Sequence, residues 1–210
     1  DEAFMAEQIE EKLKAGFSTI KMKIGAIDWQ AEHQLLKSIR ARFTADQITL
    51  RVDANGGFTP ETAPALLHQL ADLSIHSIEQ PIKQNQWASM TELCRKTTCP
   101  IALDEELIGV NDYQRKIELL ETIRPQYIIL KPSLHGGIQG CKEWISLAEA
   151  RNIPWWMTSA LESNVGLKAI CEFTAEYNNP LPQGLGTGGL YETNFPSHLT
   201  VRDGHILWNI

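Results

Sequence analysis

No stretch of this sequence stays apolar for the ~20 residues that a membrane-spanning helix needs. The start shows no signal-peptide pattern either. Basic charge is short: 19 Lys and Arg stand against 26 Asp and Glu, a net charge of -7. That balance argues against nucleic acid as a partner, which would require a basic face. Cysteine is sparse, and Cys94, Cys99, Cys141 and Cys171 form no C-x-x-C pair. Neither a zinc site nor a disulfide framework is expected, and reduced thiols in a cytoplasmic protein are. The first residue is Asp1 and not Met, so a fragment or a processed chain is expected. What is present is ordinary for one globular domain with a full core: 210 residues, 43% hydrophobic and 21% charged.

One short run sets the problem that the rest of the chain has to answer. In Thr19-Ile20-Lys21-Met22-Lys23-Ile24-Gly25 the side chains of a strand alternate, so Ile20, Met22 and Ile24 share one face. Lys21 and Lys23 share the other. Two adjacent ammonium groups are costly to bury unpaired. By itself the run reads as an edge strand with a solvated lysine face. Later runs change that reading, because each ends in a charge. Ile48 to Asp53 closes on Asp53, Ile75 to Glu79 on Glu79, Pro100 to Glu105 on Asp104, and Tyr127 to Pro132 on Lys131.

Helical patterns separate these runs. Glu2 to Ala15 is amphipathic and stops at Gly16. Asp28 is positioned to cap a helix running to about Phe43. Thr59-Pro60-Glu61 reads as a helix start with proline in the first position. Further helices are expected from Trp87 to Lys96, from Asn111 to Ile123, from His135-Gly136-Gly137 onward and up to about Tyr177. The end, around Asp203-Gly204, carries a hairpin signal. Unbroken strand–helix alternation predicts a parallel sheet with right-handed crossovers. Charges at the carboxyl ends of five successive strands favour a closed (β/α) barrel over an open sheet with one switch point. Seven strands are expected ahead of the hairpin, with the first of eight missing.

Adjacent strands lie about 4.8 Å apart, so Asp53, Glu79 and Asp104 can converge. Three anions that close call for a divalent cation, and an all-oxygen set without His or Cys suits Mg²⁺ better than zinc. Lys23 and Lys131 flank them. Lys23 is the expected general base, with Lys21 beside it adding like-charge pressure. The cation would hold a substrate carboxylate while the α-proton leaves.

Taken in order, Lys21-Met22-Lys23, Asp53-Ala54-Asn55, Glu79-Gln80-Pro81, Asp104-Glu105 and Lys131-Pro132 resemble the enolase superfamily, muconate-lactonising subgroup. The resemblance runs from the first helix to near the end. It implies a modified (β/α)7β TIM-type barrel, Mg²⁺ (Mn²⁺ as an alternative) and a small-molecule carboxylate substrate. It also implies an N-terminal α+β capping domain ahead of the barrel, absent from these residues, whose loops close the pocket. The expected division is a catalytic barrel over 1–190 and a C-terminal segment, 191–210, packing on the barrel and on that domain.

Ser159 to Gly166 and Gly184 to Gly188 resemble the corresponding segments of the subgroup's dehydratases. Lys21, Asn55, Ser159, Ser163, Gly184 and Leu185 are the expected supporting or substrate-binding residues. Dipeptide epimerases of the subgroup carry Asp-x-Asp where this chain has Gly184-Leu185-Gly186, which offers no anion to a substrate ammonium group. The expected activity is therefore a carbon–oxygen lyase that removes an α-proton and then hydroxide. The alternatives are an N-acylamino acid racemase or dipeptide epimerase and, in another class, a non-catalytic barrel that binds a partner. None of the six histidines is assigned to the chemistry. Trp155-Trp156 reads as wall packing, and Phe195 with the closing hairpin as a surface for the absent domain.

Overall fold

The computed structural model describes residues 2–187 and 189–208. Gly188 of the Gly184 to Gly188 segment, and Asp1, Asn209 and Ile210 of the two expected segments, lie outside them. Helix α1 (Glu2–Lys14) leads into β1 (Thr19–Lys23), α2 (Trp29–Arg42), β2 (Thr49–Asp53) and α3 (Ala63–Asp72). There follow β3 (Ser77–Glu79), α4 (Trp87–Lys96), β4 (Ile101–Leu103), a short 3-10 turn (Glu105–Leu107) and α5 (Tyr113–Ile123). The barrel ends with β5 (Tyr127–Leu130), α6 (Gly137–Glu149), β6 (Trp155–Met157) and α7 (Asn164–Thr174), and a hairpin of β7 (Leu199–Arg202) and β8 (His205–Trp208) closes the chain.

The six strands pair in sequence order, all parallel. Arg51 of β2 demonstrates the curl of this sheet. Its guanidinium lies 3.9 Å from the ring of Trp156 on β6 and donates to the Pro182 carbonyl at 3.0 Å. Four strand spacings in a flat sheet come to about 19 Å, beyond the reach of an arginine. Two separate cores follow from the curl. A large one, including Leu36, Leu50, Ile78, Leu103 and Trp144, lies between the helices and the sheet's outer face. A small inner one, built from Ala102, Ile129 and Trp156 with Tyr127 and Leu181, fills the barrel. The architecture is the expected modified TIM barrel.

Two details correct the reading from sequence. The expected seventh strand is reduced to a single parallel bridge, Thr158↔Gly184, held by Gly184 N–H to Met157 O (2.8 Å) and Ser159 N–H to Gly184 O (3.1 Å). Its segment contains Pro180, Pro182, Gly184 and Gly186, which remove ladder donors and packing side chains. Residues 59–62 form a turn bonded through Thr59 and Thr62, and α3 begins only at Ala63. Pro64, lacking an N–H, cannot bond back to the Pro60 carbonyl, so the ladder has to start later. The Asp28 cap is as expected, its Oδ1 accepting from the amides of Gln30 (3.0 Å) and Ala31 (3.3 Å).

The hairpin turns through Asp203 (φ +51°) and Gly204 (φ +71°), the left-handed pair of a type I′ turn. It docks on the connection between α1 and β1, with Gly204 N–H donating to Ala15 O at 2.8 Å. Gly16, at φ +85°, permits this approach: a Cβ there would stand 2.4 Å from the carbonyl carbon of Asp203. Among the described residues, no helix is long and apolar enough to cross a membrane.

Gly16→Ala should therefore cost roughly 1–3 kcal/mol of stability through left-handed strain and displacement of the hairpin. For a chain of this size that is a fall of several degrees in Tm. An unchanged Tm by scanning calorimetry would show that the hairpin does not depend on this contact.

Candidate active site

Register aligns the charged strand ends. Lys23 pairs with Asp53 across β1 and β2, and Asp53 with Glu79 across β2 and β3, so these three share one rung. Glu79 pairs with Ala102, which puts Asp104 two residues, about 6.6 Å, further along the barrel. Ala102 pairs with Tyr127, so Lys131 stands two residues beyond the level of Asp104. The result is a staggered arc of Lys23, Asp53, Glu79, Asp104 and Lys131, with the three acids buried.

Lysines meet the acids directly. Lys21 Nζ donates to Asp53 Oδ2 at 2.9 Å and to Glu79 Oε2 at 3.1 Å. Lys131 Nζ donates to Asp104 Oδ2 and lies 3.8 Å from Glu79 Oε1. Burial opposes the charge on Lys21, but Glu79 and Asp53 outweigh it and hold the ammonium above its ordinary value. Lys21 is thus a counter-ion of the acids. Burial raises the Glu79 carboxyl; Lys21 pulls the other way, while Asp53 and the neighbouring Asp104 add to the rise.

Lys23 is held differently. Its Nζ donates to Asn55 Oδ1 at 2.8 Å, and Asn55 Nδ2 donates to Glu105 Oε1 at 2.9 Å. Asn55 sits at φ +43°, with its backbone N–H on Asp53 Oδ1 at 3.0 Å. The loop after β1 is fixed by Glu32, whose carboxylate accepts from the backbone amides of Gly25 (2.7 Å), Ala26 (3.1 Å) and Ile27 (3.3 Å).

The remaining expected residues stand apart from this arc. Ser159 donates to Glu162 Oε2 at 2.7 Å and accepts from Leu161 N–H at 2.8 Å, which shapes the loop after β6. Ser163 is the N-cap residue of α7 and makes no side-chain capping bond. Gly184 lies against Thr158, where a Cβ would come within 2.6 Å of Thr158 Oγ1. Leu185 is buried in the helix–sheet core. Among the described residues, no hydrogen bond links the side chains of Ser159, Ser163 or Leu185 to the lysines or acids of the arc.

Four supporting residues escaped the sequence reading. His135 is fully buried, its ring Nδ1 accepting the Lys131 backbone N–H at 3.0 Å while its backbone N–H donates to Lys131 O at 3.1 Å. Burial lowers its imidazole to about 4, so it is a neutral brace of the Lys131 peptide. Arg51 lies one inward step before Asp53 on β2; burial lowers its guanidinium to about 10 against the opposing pull of Tyr127 and Glu79. Gln80 and Glu106, both buried, lie between the ends of β3 and β4. Only Gln80 belonged to a quoted motif. The others depend on spatial neighbours that no local pattern shows. A cavity of about 600 Å³ opens elsewhere, at the opposite end of the sheet, among residues that include Pro100, Arg124, Arg151 and Pro154, and none of the arc lines it.

The donor set suits a hard cation. It is all oxygen, and Glu79 Oε1 and Asp104 Oδ1 are buried without a hydrogen-bond partner. With these side-chain positions, no three His, Cys, Asp or Glu groups among the described residues form a ready cation cage. The ammonium groups of Lys21 and Lys131 stand between the carboxylates instead.

The family model described as enolase C-terminal domain-like matches residues 4–209. The chain is 55% identical, over 98% of its length and 55% of the relative's, to the o-succinylbenzoate synthase of Desulfotalea psychrophila. It is 30% identical to the L-Ala-D/L-Glu epimerase of Bacillus subtilis, over 83% of this chain and 47% of that one. The crystal structure of MenC from Desulfotalea psychrophila superposes with a TM-score of 0.94 and 51% identity, covering 98% of this chain and 57% of that one. The chain thus spans about half the length of the curated relatives it matches.

The raised Glu79 carboxyl gives the site a pH signature. Its folded value lies near 8 against an ordinary 4.5, so the fold retains a proton that the unfolded chain has released. That stabilisation is present below 4.5 and is lost as pH rises through the folded value. A divalent cation held by these acids would compete with the same proton. In EDTA, Tm should fall between pH 5 and about 8, while the increment of Tm from added Mg²⁺ should grow over the same range. A Mg²⁺ increment that is flat with pH would detach Glu79 from the ion.

Proposed function

The chain belongs to the enolase C-terminal domain-like family, and on that premise we propose that it is the barrel of a lyase. The reaction is dehydration of 2-succinyl-6-hydroxy-2,4-cyclohexadiene-1-carboxylate to o-succinylbenzoate, a step of menaquinone biosynthesis. The observation that carries this reading is the 55% identity to an o-succinylbenzoate synthase over nearly the whole chain. The lysine–carboxylate arc supports the class of chemistry.

Asp53, Glu79 and Asp104 would hold Mg²⁺, with Mn²⁺ as an alternative. When bound, the ion supplies positive charge that stabilises the oxyanions developing on the substrate carboxylate. Lys23, exposed and hydrogen-bonded to the Asn55 side-chain oxygen, is the general base. It takes the α-proton, and the C–H electrons move into the ring and carboxylate. As an ammonium, Lys23 then gives that proton to the departing hydroxide, so water leaves and the aromatic ring is complete. Lys131, against Asp104 and Glu79 on the other side of the arc, stays charged and stabilises the delocalised anion by charge and cation–π contact. Lys21 is engaged by two carboxylates and serves as their counter-ion. Gly184 carries no side chain, and its contact with Thr158 leaves no room for one. That suits a substrate bearing carboxylates and no amine. An own N-terminal capping domain is the expected partner that completes the pocket.

The second reading is racemisation of N-acylated amino acids or epimerisation of dipeptides, favoured by the presence of a lysine on each side of the acids. The absence of an acidic side chain at Gly184 tells against the dipeptide version.

The test uses the complete protein in single turnover in deuterated water. Lys23→Arg should abolish both dehydration and α-proton exchange. Lys131→Arg keeps the charge and should lose roughly two to three decades in rate while retaining turnover. Robust turnover by Lys23→Arg beside a dead Lys131→Arg would reverse the two roles. Glu79→Ala should remove activity, and normal turnover by that variant would end the ion assignment.

A further inference from the structure

Between Glu79 and the loop that follows β3 stands Gln80, fully buried and held at φ +39°. A long side chain gains nothing from a left-handed backbone, which costs of order 1–3 kcal/mol and is retained where the surroundings over-determine it. Here its bonds over-determine it. The side-chain Oε1 accepts from the backbone amides of Asp104 and Glu106, each at 3.2 Å. The side-chain Nε2 donates to Ile82 O at 3.0 Å and to Glu106 Oε2 at 3.2 Å. The backbone N–H donates to Ala102 O at 2.9 Å, and the backbone O accepts from Gly56 N–H at 2.7 Å. One residue therefore ties the loops after β2, β3 and β4 together, and those loops follow the three acids.

Glu106 completes the device. Its carboxylate is buried, and its other oxygen accepts from Asn85 N–H at 2.8 Å. Its Oε2 accepts a hydrogen bond from the Gln80 Nε2–H. Gln80 must then give two N–H bonds at one end and accept two at the other, which only an amide supplies among side chains of this shape. A glutamate there could accept from both backbone amides but would face Glu106 as a second anion.

We propose that Gln80, through its amide and Glu106, is the positioning residue that fixes Asp104 relative to Glu79 for cation binding. The inference rests on the reading that these two acids hold the divalent ion. Partners that orient metal ligands from behind typically control 10–100-fold in affinity.

Mn²⁺ binding to the complete protein, followed by electron paramagnetic resonance of the free ion, gives a readout independent of turnover. Gln80→Glu should weaken Mn²⁺ about tenfold or more. Adding Glu106→Gln returns a donor to face residue 80, and the double variant should recover to within about threefold of the parent protein. Glu79→Ala serves as the control for the underlying reading. If it binds Mn²⁺ normally, the ion assignment itself is wrong. If Glu79→Ala loses Mn²⁺ while Gln80→Glu binds normally, the positioning role alone is overturned. A weak Gln80→Glu that the double variant fails to restore overturns it as well. Should Gln80→Glu fail to fold, the double variant decides: normal binding supports the role, and weak binding or failure to fold overturns it.

Discussion

Three carboxylates buried on neighbouring strands must be compensated, and much of the local structure answers to that. Each acid would be strongly disfavoured as an anion in isolation. The barrel meets the cost by bringing lysines from its first and fifth strands onto the acids of the second, third and fourth, so that Lys21 spans Asp53 and Glu79 and Lys131 reaches Asp104 and Glu79. The stagger of the strands matters here. Because Asp104 stands two residues further along than Glu79's own rung, and Lys131 two further again, a long side chain can reach back where a short one could not. Arg51, behind the same acids, adds a third cation from inside the barrel.

The legible part of this arrangement was the part that repeats. A charge at the end of each strand has period and position, so the acids, both lysines and the barrel could be read before any neighbour was known. The Asp28 cap and the Asp203-Gly204 turn were legible for the same reason, since their bonds lie within a few residues. The illegible part consists of contacts across loops. Glu106 looks like a second acid beside Glu105, yet it is buried against Gln80, 26 residues away. His135 looked like a helix-start residue, but its ring turns back onto the Lys131 peptide. Strand–helix alternation predicts a seventh strand, whereas proline and glycine in 180–186 leave a single bridge. At Thr59-Pro60 the local signal was real, and a second proline at position 64 displaced the helix beyond it.

The supports of the two flanking lysines differ in kind, and that difference bears on the chemistry. A two-base racemase asks for lysines that trade roles with the direction of reaction, which is best served by similar surroundings. Here the surroundings are unlike. Lys131 is mostly buried, 16% exposed in its side chain, and its ammonium is paired with anions. Its backbone is braced by His135, neutral at ordinary pH. Lys23 is exposed and meets a neutral amide, the Asn55 side chain, which fixes its direction. One lysine is held between anions, and the other is directed by an amide. In the proposed reaction one lysine serves first as base and then as acid at one face of the ring, while the other contributes charge. The unequal supports of the two lysines are therefore the feature of the site on which the proposed dehydration and a two-sided exchange differ.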